Sequence, residues 1–242
     1  MIYVGTAGWN IPRAHKTRFP PEGSGLERYA ARLDAVEINT SFYRPHAVKV
    51  YARWAAAVPR GFRFAVKMPK VISHERALTR AREPLERFLE EVAALDGKLG
   101  VLLLQLPPSQ AFDARRAGRF FELLRARYDG GVVCEPRHAS WTSGPASRLL
   151  VRFRIARVAA DPPRAAGLHQ PGGWPGLIYY RWHGSPRPYF SPYAPDQLDA
   201  LAEDVKRAAV DAWCIFDNTG SGSAAGNALD LQARVATLPG RN

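Results

Sequence analysis

Only two cysteines, Cys134 and Cys214, occur in the 242 residues, and each sits inside an apolar, strand-like run. So sparse a pair excludes a disulfide-stapled scaffold and fits a reduced, cytoplasmic location. Long hydrophobic runs are missing as well. The longest, Val101–Leu104, is strand-sized and far short of the ~20 residues that span a bilayer, so no membrane partner is expected. The chain opens directly on Met1-Ile2-Tyr3-Val4-Gly5, without the basic segment and long apolar stretch of a signal peptide. No Gly-x-Gly-x-x-Gly fingerprint opens a first helix, which argues against a dinucleotide-binding sheet, and no linker-like stretch divides the chain.

What is abundant is positive charge, +12 in all, and it comes mostly from arginine. The arginines are distributed along helical stretches (Arg76, Arg80, Arg82, Arg87, then Arg115, Arg116, Arg119, Arg125, Arg127) and form no dense polybasic tail. Such a distribution permits binding of phosphate backbones, and it equally serves to solvate outer helical faces.

Short apolar runs alternate with longer amphipathic ones. Strands are predicted at 2–5, 35–39, 62–67, 99–105, 132–135, 155–161, 177–183 and 213–217. Helices are predicted at 26–33, 48–58, 84–95, 114–128, 146–153, 195–209 and 224–238. Leu85, Phe88, Leu89, Val92 and Leu95 form a helical stripe, with Pro84 suited to the first turn and Gly97 to the exit. Only the connection over 162–176, rich in Pro and Gly, lacks a helix. Eight strand–helix units in this length predict an α/β protein over 1–242: a single (β/α)8 TIM barrel domain with a closed parallel sheet.

Strand side chains alternate faces, and here the polar member falls at the carboxyl end of nearly every strand. Ala35, Glu37 and Asn39 share a face, as do Ala65 and Lys67, Leu103 and Gln105, and Arg181 and His183. Tyr180 and Trp182 point the other way. Glu37, Lys67, Gln105, Glu135, Asp161, His183 and Asp217 close seven of the eight strands, and the carboxyl end of such barrels is where catalytic groups sit. The bland alternative is a self-neutralising ion network of the same residues. The run Asp217-Asn218-Thr219-Gly220-Ser221-Gly222-Ser223, continuing to Asn227, is a candidate phosphate cradle at a helix amino terminus. The loop after the seventh strand offers Arg187 and Tyr189 as contacts or as a lid.

These residues admit several chemistries. Glu135 and Asp161 end neighbouring strands and are a candidate acid/base pair, with Glu37 and His183 as further proton carriers. Paired carboxylates also suit glycoside hydrolysis, for which Trp9, Trp141 and Tyr189 are the candidate aromatic platforms. His74, His138 and His183 show no local ligand spacing, and Lys67 and Arg181 disfavour a dication. No cofactor is therefore expected, a divalent metal being the lesser alternative. Lys67 could form a Schiff base if its pKa were depressed, but surrounding carboxylates are expected to hold it up, so electrostatic binding is expected of it. Cys134 has the parity opposite to Glu135 and is not expected to act as a nucleophile.

A run of motifs in order covers nearly the whole chain. It comprises Gly5-Thr6-Ala7-Gly8-Trp9, Val36-Glu37-Ile38-Asn39-Thr40-Ser41-Phe42-Tyr43, Phe62-Arg63-Phe64-Ala65-Val66-Lys67 and Ile72-Ser73-His74. Leu104-Gln105-Leu106-Pro107-Pro108, Glu135-Pro136-Arg137-His138-Ala139-Ser140-Trp141 and Arg181-Trp182-His183-Gly184 complete it. Through these the chain resembles the YecE-like family, domain of unknown function 72, and the resemblance implies a TIM barrel whose activity is not established. Two departures stand out: Phe216-Asp217-Asn218 where the family often has Phe-Asn-Asn, and Ile72-Ser73-His74 where it often has Ile-Thr-His.

Taken together, the residues point to an enzyme that binds an anionic, phosphate-bearing substrate at the barrel mouth. Lys67, Arg181, His74, Gln105, His138, Asn39, Tyr189, Asp217, Asn218 and Asn227 are the expected binding groups, and Glu135, Asp161, His183 and Glu37 the catalytic ones. The substrate is expected to be nucleic acid, cut as a phosphodiester, or a small sugar phosphate handled by an isomerase, lyase or hydrolase without metal. A non-catalytic barrel that senses a ligand or binds nucleic acid is the alternative from another class.

Overall fold

The computed structural model describes residues 1–237. Its strands are β1 (Ile2–Ala7), β2 (Ala35–Ile38), β3 (Arg63–Lys67), β4 (Leu99–Gln105), β5 (Gly131–Glu135), β6 (Ala156–Arg157), β7 (Ala159–Asp161), β8 (Gly172–Gly173), β9 (Leu177–Trp182) and β10 (Asp211–Phe216). Its α-helices are α1 (Gly25–Ala30), α2 (Val48–Ala56), α3 (Arg82–Val92), α4 (Ala114–Arg125), α5 (Gly144–Arg152), α6 (Pro195–Arg207) and α7 (Ser223–Thr237). The strands form one ten-stranded sheet in the order β7-β9-β10-β1-β2-β3-β4-β5-β6-β8. Every pairing is parallel except β6 with β8.

The first strand lies beside the last, and the sheet is barrel-like and nearly closed. The departure from the predicted ring is at its sixth member. The run predicted as one strand over 155–161 is broken at Val158: Ala156 and Arg157 pair with β5, whereas Ala159–Asp161 pair with β9. Val158 itself donates its N–H to the Cys134 carbonyl at 2.9 Å. The broken strand is thus the seam where the two sides of the sheet meet. The helix-free connection over 162–176 holds only β8, whose two glycines bond back along β6.

Alternation along the strands divides the apolar residues into two cores. The outer faces, with Phe64, Val66, Leu102, Leu104, Val132 and Cys134, pack against the helices. The inner faces contribute a separate cluster that includes Tyr3, Ala35, Ala65, Val101, Leu103, Val133, Tyr179, Trp213 and Ile215. Alanines at 35 and 65 leave room for the rings of Tyr3, Tyr179 and Trp213, whose centroids lie 4.8 and 6.0 Å apart along the stack. Gly100 belongs to the same fit, because a Cβ there would stand 2.4 Å from the Trp213 ring.

The helices follow local signals. Ser24 and Glu27 cap α1 reciprocally, and the side chains of Asp113 and Ser143 cap α4 and α5. On α3 the residues Leu85, Phe88 and Val92 are buried. That helix starts at Arg82, ahead of Pro84, and passes at Ala93 into a tighter turn that breaks at Asp96, where φ is 48°. Of the helix predicted over 224–238, Leu238 lies outside the described residues, as does the end of the predicted domain at 242.

Candidate active site

The inner apolar cluster ends in a polar layer at the carboxyl ends of the strands. Its centre is Arg181 of β9, only 1% exposed. The Nε of Arg181 donates to Glu37 Oε2 at 3.0 Å, and its Nη2 to Glu37 Oε1 at 2.8 Å. Nη2 also pairs with Asp217 Oδ2 at 3.0 Å, while Nη1 reaches Glu135 Oε2 at 3.0 Å and Gln105 Oε1 at 3.4 Å. Tyr179 donates its hydroxyl to Glu37 Oε2 at 2.8 Å. Burial by itself would lower the Arg181 pKa, but Glu37, Asp217 and Glu135 together hold it well above its ordinary value.

A second chain of contacts runs through His183. Its Nδ1 lies 2.9 Å from Asp217 Oδ2 and its Nε2 lies 3.2 Å from Glu135 Oε1. Both ring nitrogens must carry protons to donate in this arrangement, so the imidazolium fits it. Burial opposes that charge, yet Glu135 and Asp217 raise the His183 pKa above its ordinary value. Glu135 itself is held well below the ordinary carboxylate range despite burial, by Arg181, Arg137 and His183. Asp217 is likewise lowered against burial, chiefly by Arg181 and His183. Arg137 completes the layer, donating to Glu135 Oε1 and Gln105 Oε1 at 3.1 Å each.

Three carboxylates, Glu37, Glu135 and Asp217, therefore match three cations, Arg181, Arg137 and protonated His183. Lys67 is left over. Its side chain is buried at the end of β3, with Nζ 4.2 Å from the Phe42 ring centroid, and among the described residues no carboxylate lies within 4.0 Å of it. The expectation that carboxylates would hold its pKa up is corrected: burial, then Arg181, push it down to about 8 against the pull of Glu37, Glu135 and Asp217. The physical reason is burial first, and then Arg181, which is itself paired with those carboxylates. His74 lies on the same side, edge-on to Phe42 at 4.9 Å with Nδ1 2.8 Å from Ser73 Oγ. Its pKa is lowered by burial and by Lys67 and Arg137.

The layer opens on a cavity lined by Glu135, Arg137, Arg164, His183, Pro188 and Tyr189, among others. Its volume is about 10 Å³, room for a single water. Tyr189, one of its lining residues, has φ 69° and its ring edge-on to His183 at 5.8 Å.

Several predicted site residues lie elsewhere. Asp161 pairs in register with Trp182 and so faces outward, where its carboxylate accepts the Tyr193 hydroxyl at 2.8 Å. It forms no acid/base pair with Glu135. Asn218 and Asn227 are buried and bond to each other at 2.9 Å, to the Ser191 carbonyl and to the backbone of Tyr193. The N–H groups of Gly220, Gly222 and Ala224 in the predicted phosphate cradle are likewise taken, by the carbonyls of Tyr189, Thr219 and Asn218. Beyond Asp217, this run fastens the loop after β9. His138 caps the short helix 139–142 through Ser140. Asn39 borders a separate groove with Trp9 and Arg28, its Oδ1 buried and without a partner. Trp141 is buried with its indole on the Gln110 carbonyl, so it is no sugar platform. Arg181 directs Nε, Nη1 and Nη2 at side chains of this layer. Arg137 and Tyr179 were missed. Extending the alternation of Glu135 two residues past its strand finds Arg137, whereas nothing in the sequence separates Tyr179 from the apolar core.

Among the described residues no group of three or more His, Cys, Asp or Glu side chains is set to hold a metal ion, the Arg181 guanidinium occupying the space between the carboxylates. Nor is any described helix long and apolar enough to cross a membrane.

A barrel-like α/β sheet with an ion-locked layer at its strand ends defines the class of this protein. The model of the protein family of unknown function DUF72 matches residues 3–241, and the chain belongs to that family. It is 32% identical over 175 residues to the UPF0759 protein YecE of Escherichia coli (strain K12), covering 71% of this chain and 57% of that protein. To the UPF0759 protein YunF of Bacillus subtilis (strain 168) it is 27% identical over 167 residues, covering 64% of this chain. In both cases the match spans 57% of the curated relative's length. Two solved DUF72 family proteins share the fold. One, from Enterococcus faecalis, has a TM-score of 0.82 at 23% identity, with 99% of this chain and 97% of that one covered. The other, from Thermotoga maritima, has a TM-score of 0.78 at 26% identity, with 96% and 98% covered.

Proposed function

We propose that the chain is a single (β/α)8 barrel, its broken β6–β7 run counting as one strand, and that it is an enzyme for a small anionic, phosphate-bearing substrate. The observation that carries this reading is the cavity on which Arg137, Arg164 and the Glu135–His183 contact all open. Two arginines suit a phosphate or carboxylate group. His183, favoured as the imidazolium, suits a general acid, and Glu135 beside it the returning base. This is proton-transfer chemistry of an isomerase, lyase or hydrolase. With room for one water, the cavity admits a substrate only when the loop carrying Pro188 and Tyr189 opens. The test is incubation of the protein with a panel of phosphate-bearing metabolites, followed by mass spectrometry. Turnover in the parent that disappears in Glu135→Gln is expected. Binding without turnover in the parent would favour a sensor instead, and unchanged turnover in Glu135→Gln would contradict the assignment of the base.

A second reading has its own observation. An open groove of about 640 Å³ is lined by Arg80, Arg82, Arg115, Arg116 and Arg119 against one carboxylate, Asp113. Arg80, Arg115 and Arg119 form no ion pair within 4.0 Å among the described residues. Both lining segments follow strand ends, β3 and β4, so the groove lies on the same rim as the mouth. No exposed aromatic lines it, which favours a phosphodiester backbone over stacked bases. Binding of an oligonucleotide that weakens steeply with salt is expected; no binding at low salt would remove this reading.

A further inference from the structure

We propose that Lys67 is a nucleophilic amine that forms an imine with an aldehyde or ketone substrate at the barrel mouth. The inference rests on the mouth being a substrate site and goes beyond it by naming the functional group of the substrate. A fully buried lysine is rarely left without a paired charge. Lys67 is surrounded by three and paired with none, because Arg181 binds them all. Its aliphatic stem enters from the end of β3, and its backbone is held where Ser41 Oγ donates to the Lys67 carbonyl at 2.7 Å. Its amine meets the face of Phe42 at 4.2 Å. Removal from water and a neighbouring guanidinium are the two conditions that make a lysine a nucleophile. Both are present, and they act in the direction seen: with a pKa of about 8, roughly two orders of magnitude more free amine exists at neutral pH than for an ordinary lysine.

The step balances within the layer. The lone pair of Nζ attacks the carbonyl carbon, and the C=O pair moves to oxygen, which takes a proton. The nitrogen loses a proton, the hydroxyl leaves as water after a further protonation, and the lone pair closes the C=N bond. Amine, carbonyl and one proton thus become a protonated imine and water, with no oxidant or reductant. In this proposal His183 gives the proton and Glu135, 3.2 Å from its Nε2, takes one back. A protonated imine carries the same single positive charge as protonated Lys67, so the charge match among Glu37, Glu135, Asp217, Arg181, Arg137 and His183 is undisturbed. Arg137 and Arg164 remain for the anionic end of the substrate. The substrate class is therefore a short aldehyde or ketone bearing a phosphate or carboxylate.

The chain has only six lysines, which makes the test clean. The intact protein is treated with glycolaldehyde phosphate, and separately with formaldehyde, each with cyanoborohydride to reduce any imine, and labelled lysines are identified by peptide mass spectrometry. Lys67 is expected to label at least tenfold faster than Lys16, Lys49, Lys70, Lys98 or Lys206, at a rate that rises through pH about 8. Lys67→Arg should lose that first label. Formaldehyde, with two heavy atoms, is the smaller probe and depends least on how wide the mouth stands. In parallel, inorganic phosphate is titrated while the His183 ring is followed by NMR. No preference for Lys67 with either probe, while phosphate still shifts His183, overturns the imine and spares the anion site. No preference and no phosphate response overturns both.

Discussion

The mouth and the rim groove hold comparable amounts of positive charge and treat it in opposite ways. At the mouth, Arg181 is 1% exposed, and its guanidinium is met by acceptors from Glu37, Gln105, Glu135 and Asp217. In the groove, five exposed arginines face one aspartate. A buried charge costs too much to leave unmatched, whereas an exposed one is satisfied by water. The formal charge of +12 is therefore carried mostly by exposed groups, while the polar layer at the mouth is balanced to within one amine. That amine is Lys67, and its isolation is what sets it apart from every other cation in the polar layer.

Removing the central cation should break this contrast most severely. Arg181→Met leaves three buried carboxylates without their common partner, and a loss of about 3–5 kcal/mol in urea unfolding is expected. A loss below 1 kcal/mol would mean that the layer is not held together by Arg181.

A smaller effect is expected from Asp217→Asn, and its sign depends on pH. Asp217 is lowered in the fold, so its contribution is present above its ordinary value of 3.8 and fades as pH falls through the lowered one. His183 is raised, so its contribution is full below 6.5 and fades as pH rises through the raised value. The gap in Tm between parent and Asp217→Asn should thus be widest between these limits, roughly 2–4 °C, and narrow on both sides. A gap that does not vary with pH would contradict the His183–Asp217 contact.

The groove should behave in the opposite way. Changing Arg80, Arg115 and Arg119 together to Gln is expected to move stability by no more than about 0.5 kcal/mol. The same change should reduce the salt slope of oligonucleotide binding by about 2.7, at ~0.9 for each phosphate no longer neutralised. Lost stability with an unchanged slope would reverse the comparison.

Much of the polar layer was legible in advance, because two physical rules act on single residues. Alternation decides which side chains face inward, and parallel crossovers decide which strand ends share a rim. These place Glu37, Lys67, Gln105, Glu135, Arg181, His183 and Asp217 together. Asp161 failed because ending a strand is not enough; it pairs with outward-facing Trp182 and takes the Tyr193 hydroxyl. Asn218 and Asn227 failed because their partners at 191 and 193 lie on a loop far away in sequence. The break at Val158 was invisible since both halves of the strand keep the same alternation. For Lys67 the neighbours were read correctly and the outcome was not. Which cation captures the carboxylates is decided by guanidinium geometry, able to meet several acceptors at once, and no pattern along the chain records that.

The central claim is that the mouth contains one buried amine left without a counter-charge. It is tested most directly by isotope-labelling the lysines and following the pH titration of the Lys67 side chain by NMR, with Lys67→Arg identifying its signal among the six. A midpoint near pH 8 is predicted. A midpoint at the ordinary lysine value of 10.5 or above would show that a carboxylate holds Lys67 after all, and would contradict the account.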